Sequence, residues 1–234
     1  MPFSSLHDRP KREMEHWVIA GGCALTFLSA TANAGFLIEL GTSVSHLTGD
    51  VSKVAVEFAQ GTHRVVELAM NLLVATLSFL LGATMAGYAI HHPSLEISRP
   101  YGRAVMVIGL CMLMAHAVLS AFPLAAIGVA SFACGFQNAL ATHYRGMILR
   151  TTHITGLLTD LGTNLGMTIR GHDIARWKIF IPLWLVLSFF LGSALGAVLV
   201  IRLHAPFLLV VASLYVAGGL SWSIYKHWFS PKMR

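Results

Sequence analysis

The sequence predicts an all-α integral membrane protein of about six transmembrane helices. They form two inverted three-helix repeats, each with a short amphipathic or re-entrant helix. Three observations predict this: a composition poor in charge, six uncharged runs of spanning length, and an internal echo between the two halves. The chain has 234 residues, 56% of them hydrophobic and 11% charged. A soluble domain carries about 25% charged residues, so this chain lacks the side chains to cover itself toward water. Lipid is the solvent that such a surface fits.

The uncharged stretches are 17–38, 68–90, 104–122, 123–142, 179–201 and 205–225. Each is close to the roughly 20 residues that cross a bilayer as helix. In hydrocarbon the backbone must satisfy its own hydrogen bonds, so segments of this length are helices and not strands. Residues 1–15 form a basic N-terminal tail, and 226–234 a C-terminal one. The first apolar run is too long for a cleavable leader and has a counterpart in the second half. Spans three and four meet at 120–123, which forces a tight antiparallel hairpin. Trp17, Tyr101, Trp177, Tyr225 and Trp228 stand near span ends, where amphipathic rings prefer the headgroup layer.

With the N-terminus inside, the inner segments hold Arg9, Lys11, Arg12, Arg99, Arg103, Arg145, Arg150, Arg170, Arg176, Lys178, Lys226, Lys232 and Arg234. The outer segments hold only Lys53, Arg64 and Arg202. That asymmetry predicts both termini in the cytoplasm. It also accounts for the formal charge of +6 without a nucleic-acid partner, because the basic residues flank apolar runs and form no basic face.

The two halves, 16–122 and 123–225, echo one another in order. Asn33-Ala34 returns as Asn138-Ala139, His46-Leu47-Thr48-Gly49 as His153-Ile154-Thr155-Gly156, and Leu80-Leu81-Gly82-Ala83 as Phe190-Leu191-Gly192-Ser193. Three crossings per half is an odd number, so the halves are inverted in the membrane. The segments 48–60 and 155–170 are too short to cross. In the first, Val51, Val54, Ala55 and Phe58 take one helical face against Asp50, Lys53, Glu57 and Gln60. In the second, Leu157, Leu158, Leu161 and Leu165 oppose Thr159, Asp160, Thr163 and Asn164. Each is either an interfacial helix or a half-helix entering the interior, capped by Thr48 or Thr155, with its amides turned toward a solute.

Gly135-Phe136-Gln137-Asn138-Ala139, followed by Thr151-Thr152-His153-Ile154-Thr155-Gly156-Leu157-Leu158-Thr159, resembles the YoaK-like family of bacterial membrane proteins of unknown function. Thr48-Gly49-Asp50 is similar to that family's first Thr-Gly-Asn segment, and the likeness covers roughly 16–225. Asn33 stands where the family often has Asp, and Asp50 where it often has Asn. The resemblance implies a bacterial cytoplasmic-membrane location and this architecture, and it implies no activity.

Polar side chains at membrane depth either bond between helices or line a path. Asn33, Asn71, His116, Gln137 and Asn138 are such residues, and Asn33 and Asn138 occupy matching positions. With His46, Thr48, Asp50, His153, Thr155 and Asp160 they make up the candidate path, His116 apart. Asp50 and Asp160 are read as first-turn carboxylates of the short helices. Glu39 reads as an interfacial residue. His46 with His63 and Asp50, and His143 with His153 and Asp160, are the His groupings that could converge. No spacing typical of a metal site supports them, so no metal or cofactor is expected. Cys23, Cys111 and Cys134 read as small packing residues. Gly82-x-x-x-Ala86 and Gly192-x-x-x-Gly196 read as packing ridges within the monomer, although a homo-oligomer is compatible with them. No nucleophile elbow or phosphate loop is present, so no enzyme is expected. The leading function is a secondary transporter or channel for a small polar solute or ion. The alternatives are a non-transporting scaffold or accessory subunit and a His-dependent metal handler.

Overall fold

The computed structural model describes residues 9–90, 101–140 and 151–229. Arg99, Arg145, Arg150, Lys232, Arg234, His91, His92 and His143 lie outside them, as do the first eight residues of the chain. Eight α-helices follow in order: α1 Arg9–Leu40, α2 Leu47–Gln60, α3 Val65–Ile90, α4 Tyr101–Val118, α5 Pro123–Leu140, α6 Ile154–Ile169, α7 Trp177–Ala197 and α8 Phe207–Phe229. A π-helical turn, Val198–Arg202, continues α7. All but α2 and α6 are long and apolar enough to cross a membrane.

The boundaries differ from the sequence reading most at the two ends of the chain. α1 begins at Arg9, inside the segment read as a tail, because Lys-Arg-Glu-Met-Glu are strong helix formers that prolong the helix beyond its apolar stretch. α8 likewise runs past 225 to Phe229. The predicted hairpin between spans three and four is present. α4 ends at Val118, the Phe122 N–H donates to Val118 O at 2.7 Å, and α5 starts on Pro123, a residue suited to a helix's first position.

The helices pair across the halves. α1 packs on α7, α3 on α5 and α4 on α8. Exchanging the halves carries each of these pairs onto another or onto itself, and it relates α2 on α3 to α6 on α7 in the same way. The contacts repeat in detail. A Cβ on Gly82 would stand 2.0 Å from Phe132 O, and one on Gly192 would stand 2.2 Å from Phe27 O, its counterpart. One on Gly109 would meet Ala212 O at 3.0 Å, and one on Gly219 would meet Gly102 O at 2.6 Å. Both small-residue ridges therefore act inside the monomer, where the absence of a side chain lets backbones touch.

Equivalent helices run antiparallel. α1 and α5 cross where the Ser29 hydroxyl lies 3.9 Å from the Cys134 thiol, and Leu25 O on α1 meets Gln137 on α5 one turn further. Ser29 and Cys134 are themselves counterparts, so the pseudo-two-fold axis passes between them and the inversion is built into the packing. The start of α1 and the end of α8 fall on one side of the membrane, here termed the terminal face. The opposite side, which holds the α1–α2 connection, is the far face. Toward lipid the spans present large apolar side chains such as Leu77, Leu80, Phe190 and Leu191, each more than half exposed.

Candidate functional site

After α1 ends at Leu40, Gly41 takes a left-handed φ of 67° and turns the chain back into the bundle. Asn33, seven residues below the helix end and so about 10 Å deeper, catches the returning strand. Its Oδ1 accepts from the Ser43 hydroxyl at 2.8 Å, Val44 N at 3.1 Å, Ser45 N at 3.2 Å and the Ser45 hydroxyl at 3.0 Å. α2 starts at that depth, so the segment is re-entrant and not interfacial. The ring of His46 packs edge-on against Phe189 near the middle of the α7 span, with centroids 4.9 Å apart. Asp50, Lys53 and Glu57 of α2 turn inward, while Val51, Val56 and Phe58 face outward.

Asn138 does the same in the second half. Its Nδ2 donates to the Thr152 hydroxyl at 2.7 Å, and its Oδ1 accepts from the Thr151 hydroxyl at 3.1 Å. The short helices therefore begin near the axis, one dipping from each face. His46 and His153 occupy their N-cap positions and lie within electrostatic reach of one another. Burial pushes the His46 imidazole below its ordinary value, and His153 adds to the shift. The His46 Nε2 atom is buried without a partner among the described residues.

Several expectations are corrected here. Thr48 and Thr155 are exposed and cap nothing, because each helix starts one residue earlier, beside its clasped strand. Asp160 is exposed in the second turn of α6, and the counterpart of Asp50 is the buried Leu157. Asp50 is itself buried, accepting from Ser43 N at 2.7 Å with the Lys53 ammonium at 3.7 Å. Burial raises its carboxyl, against the Ser43 N–H and Lys53, which hold it back. Lys53 also donates to Gly41 O. Asn71 donates to the Thr42 hydroxyl at 3.1 Å, and Glu39 lies within electrostatic reach of His116. Among the described residues no three His, Cys, Asp or Glu side chains converge as a metal site would require, so His46, His63 and Asp50 do not group.

The space that could hold a molecule lies elsewhere. A cavity of about 560 Å³ sits between α1, α4, α7 and α8, toward the terminal face. Its rim is Trp17, Tyr101, Trp222 and Tyr225, and its floor is Leu140, Thr151 and Tyr215. None of the ten path candidates lines it. Gln137 stands behind the floor: its Nε2 donates to the Thr151 hydroxyl at 3.0 Å and to Leu25 O at 3.1 Å, and its Oε1 accepts from the Tyr215 hydroxyl. The first half has no such cluster, since the counterparts of Gln137, Thr151 and Tyr215 are Ala32, Val44 and Val105.

Glycine makes the cavity. Gly21 and Gly218 line it, and a Cβ on either would meet nothing within 4 Å. Their neighbours Gly22 and Gly219 extend the same walls. On the far side the counterparts of Gly22, Gly218 and Trp222 are Ile127, Ile108 and Met112, all at most 1% exposed. Phe36 and Phe207, edge to face at 5.7 Å, complete that plug. Sequence reasoning passed over Tyr215, Trp222 and these glycines; the signal was the Gly-Gly pairs of spans one and six, where the other half has Ala126-Ile127 and Ile108-Gly109.

Fold and site together define a multi-pass membrane protein of two inverted, interlocked halves with a cavity toward the terminal face. The chain belongs to the family described as protein of unknown function (DUF1275), whose model matches residues 21–221, in agreement with the YoaK-like resemblance. A UPF0700 transmembrane protein of Rhizobium meliloti (strain 1021) is 30% identical over 190 residues, covering 81% of this chain and 79% of that protein. This is a bacterial family embedded in the bilayer. No solved structure matches the chain.

Proposed function

We propose that the chain is a secondary transporter whose cargo moves along the seam between its inverted halves, and that it performs no covalent chemistry. The observation that carries this reading is a cavity toward the terminal face of a two-fold scaffold, where the counterparts Ile108, Met112 and Ile127 are packed in the core. If the halves exchanged conformations, the cavity would close on the terminal face and its counterpart would open on the far face, which is alternating access. Ile108, Met112 and Ile127 pack across the far side, which favours a carrier over an open channel. The bias of basic residues supports a cytoplasmic terminal face in the bacterial inner membrane. A small polar solute or ion, the cargo read from the sequence, would instead use the region of the α2 and α6 N-termini, where His46 and His153 lie within electrostatic reach of one another.

Single cysteines at Gly218→Cys and Ile108→Cys, in a chain whose native cysteines are replaced, test the reading. In vesicles of known orientation an impermeant thiol reagent should reach Gly218→Cys from the terminal face. It should reach Ile108→Cys only from the far face, and more slowly. Simultaneous fast reaction of both positions would mean an open pore, and failure of Ile108→Cys to react from either face would mean a static scaffold.

A further inference from the structure

The wall of the cavity carries no charge: among its lining residues there is no Asp, Glu, Lys, Arg or His. A hydrated ion or a zwitterion entering it would give up its water with nothing to replace it. The polar groups near it are few, and most are already engaged. The Tyr215 hydroxyl is donated to Gln137, and the Thr151 hydroxyl accepts from Gln137 and donates to Asn138. The Trp222 indole Nε1–H has no partner among the described residues, but it is covered within the wall and presents no surface to the cavity. Trp17 and Tyr225, with ring centroids 6.1 Å and 5.9 Å from that of Trp222, hold the indole in place. The volume suits a drug-sized ligand. The same space in the other half is filled by Ile108, Met112 and Ile127, so the void is specific to one side and not a general looseness of the bundle.

We propose that this cavity binds a neutral, largely apolar organic molecule. The apolar body lies against Leu28, Leu185 and Leu214, beside the glycine walls. That such a molecule is the cargo rests on the transporter reading; that it binds does not.

Benzophenone fits this description, having an apolar body and one carbonyl, and under ultraviolet light its ketone carbon bonds to a neighbouring C–H carbon. Applied to the full chain in lipid vesicles, it should label the peptides carrying Leu185 and Leu214 saturably. Fluorenone should compete, and benzophenone-4-carboxylate should not. Gly218→Leu places a side chain in the cavity, its Cβ meeting nothing within 4 Å, and should lower saturable labelling at least tenfold.

Labelling that spreads without saturation over the lipid-facing Leu77, Leu80 and Phe190 would overturn the proposal, as would saturable labelling indifferent to Gly218→Leu. A phospholipid that co-purifies, blocks labelling and is missing from the Gly218→Leu protein would also overturn it. Loss of binding beside normal thiol alternation would remove only this ligand class; intact binding beside a static thiol pattern would remove only the transporter reading.

Discussion

Asn33→Ala removes one oxygen that serves four donors, and the structure sets what the loss should cost. Val44 is fully buried, so its N–H is left without water or protein partner, at about 1–3 kcal/mol for an unsatisfied buried donor. Ser45 is half-buried and recovers part of its loss from solvent. The Ser43 and Ser45 hydroxyls can rotate to other acceptors, at about 0.5 kcal/mol each. The sum is about 3 kcal/mol, concentrated in the strand that starts α2. Unfolding in mixed detergent, with a fluorophore on the 41–46 strand, measures it. The double exchange Asn33→Asp with Asp50→Asn keeps both acceptors and one carboxylate, and should stay within about 1 kcal/mol of the parent. A single Asn33→Ala variant within about 0.5 kcal/mol of the parent would refute the clasp, and with it the argument for a re-entrant α2.

Asn138→Ala should cost less, about 1 kcal/mol, because its two partners are hydroxyls and no backbone donor is stranded; the same unfolding assay ranks the pair. Gly192→Leu should abolish recovery of folded protein, since its Cβ would stand 2.2 Å from Phe27 O, while Gly21→Ala, facing open space, should leave the yield unchanged in size-exclusion profiles. Tyr215→Phe strands Gln137 Oε1 in the core and should destabilise by about 1–3 kcal/mol, measured as a lower midpoint in the unfolding assay. Reporter tags inserted after Gln60 and after Arg170 should report from opposite sides of the membrane. Finding both on one side would exclude the inverted arrangement.

The spans were legible because a bilayer imposes one length and one polarity on any crossing helix, and the observed helices fall within a few residues of the runs read from composition. The repeat was legible for a related reason: Gly82 and Gly192 are forced by backbone contacts that occur twice. What escaped was anything decided by local register. Asp50 and Asp160 share a helix and a charge, yet they are not counterparts, and only the clasped strands fix where each short helix begins. The amides of Asn33 and Asn138 read as a midplane binding site because the sequence shows depth without showing partners. The cavity was least legible of all, since a void is the sum of side chains missing from several helices. Only Gly21-Gly22 and Gly218-Gly219 hinted at it.

The pairing of α1 with α7 and of α3 with α5 bears on how the chain is made. α1 and α3 leave the ribosome long before α7, and they wait in the bilayer with their glycine-level grooves and small-residue stripes open to lipid. Neither half can complete its own tertiary structure, so maturation waits on the last two spans. A chain truncated after α6 should therefore be cleared by membrane quality-control proteases, and co-production of 1–122 with 123–234 should rescue both fragments together or neither.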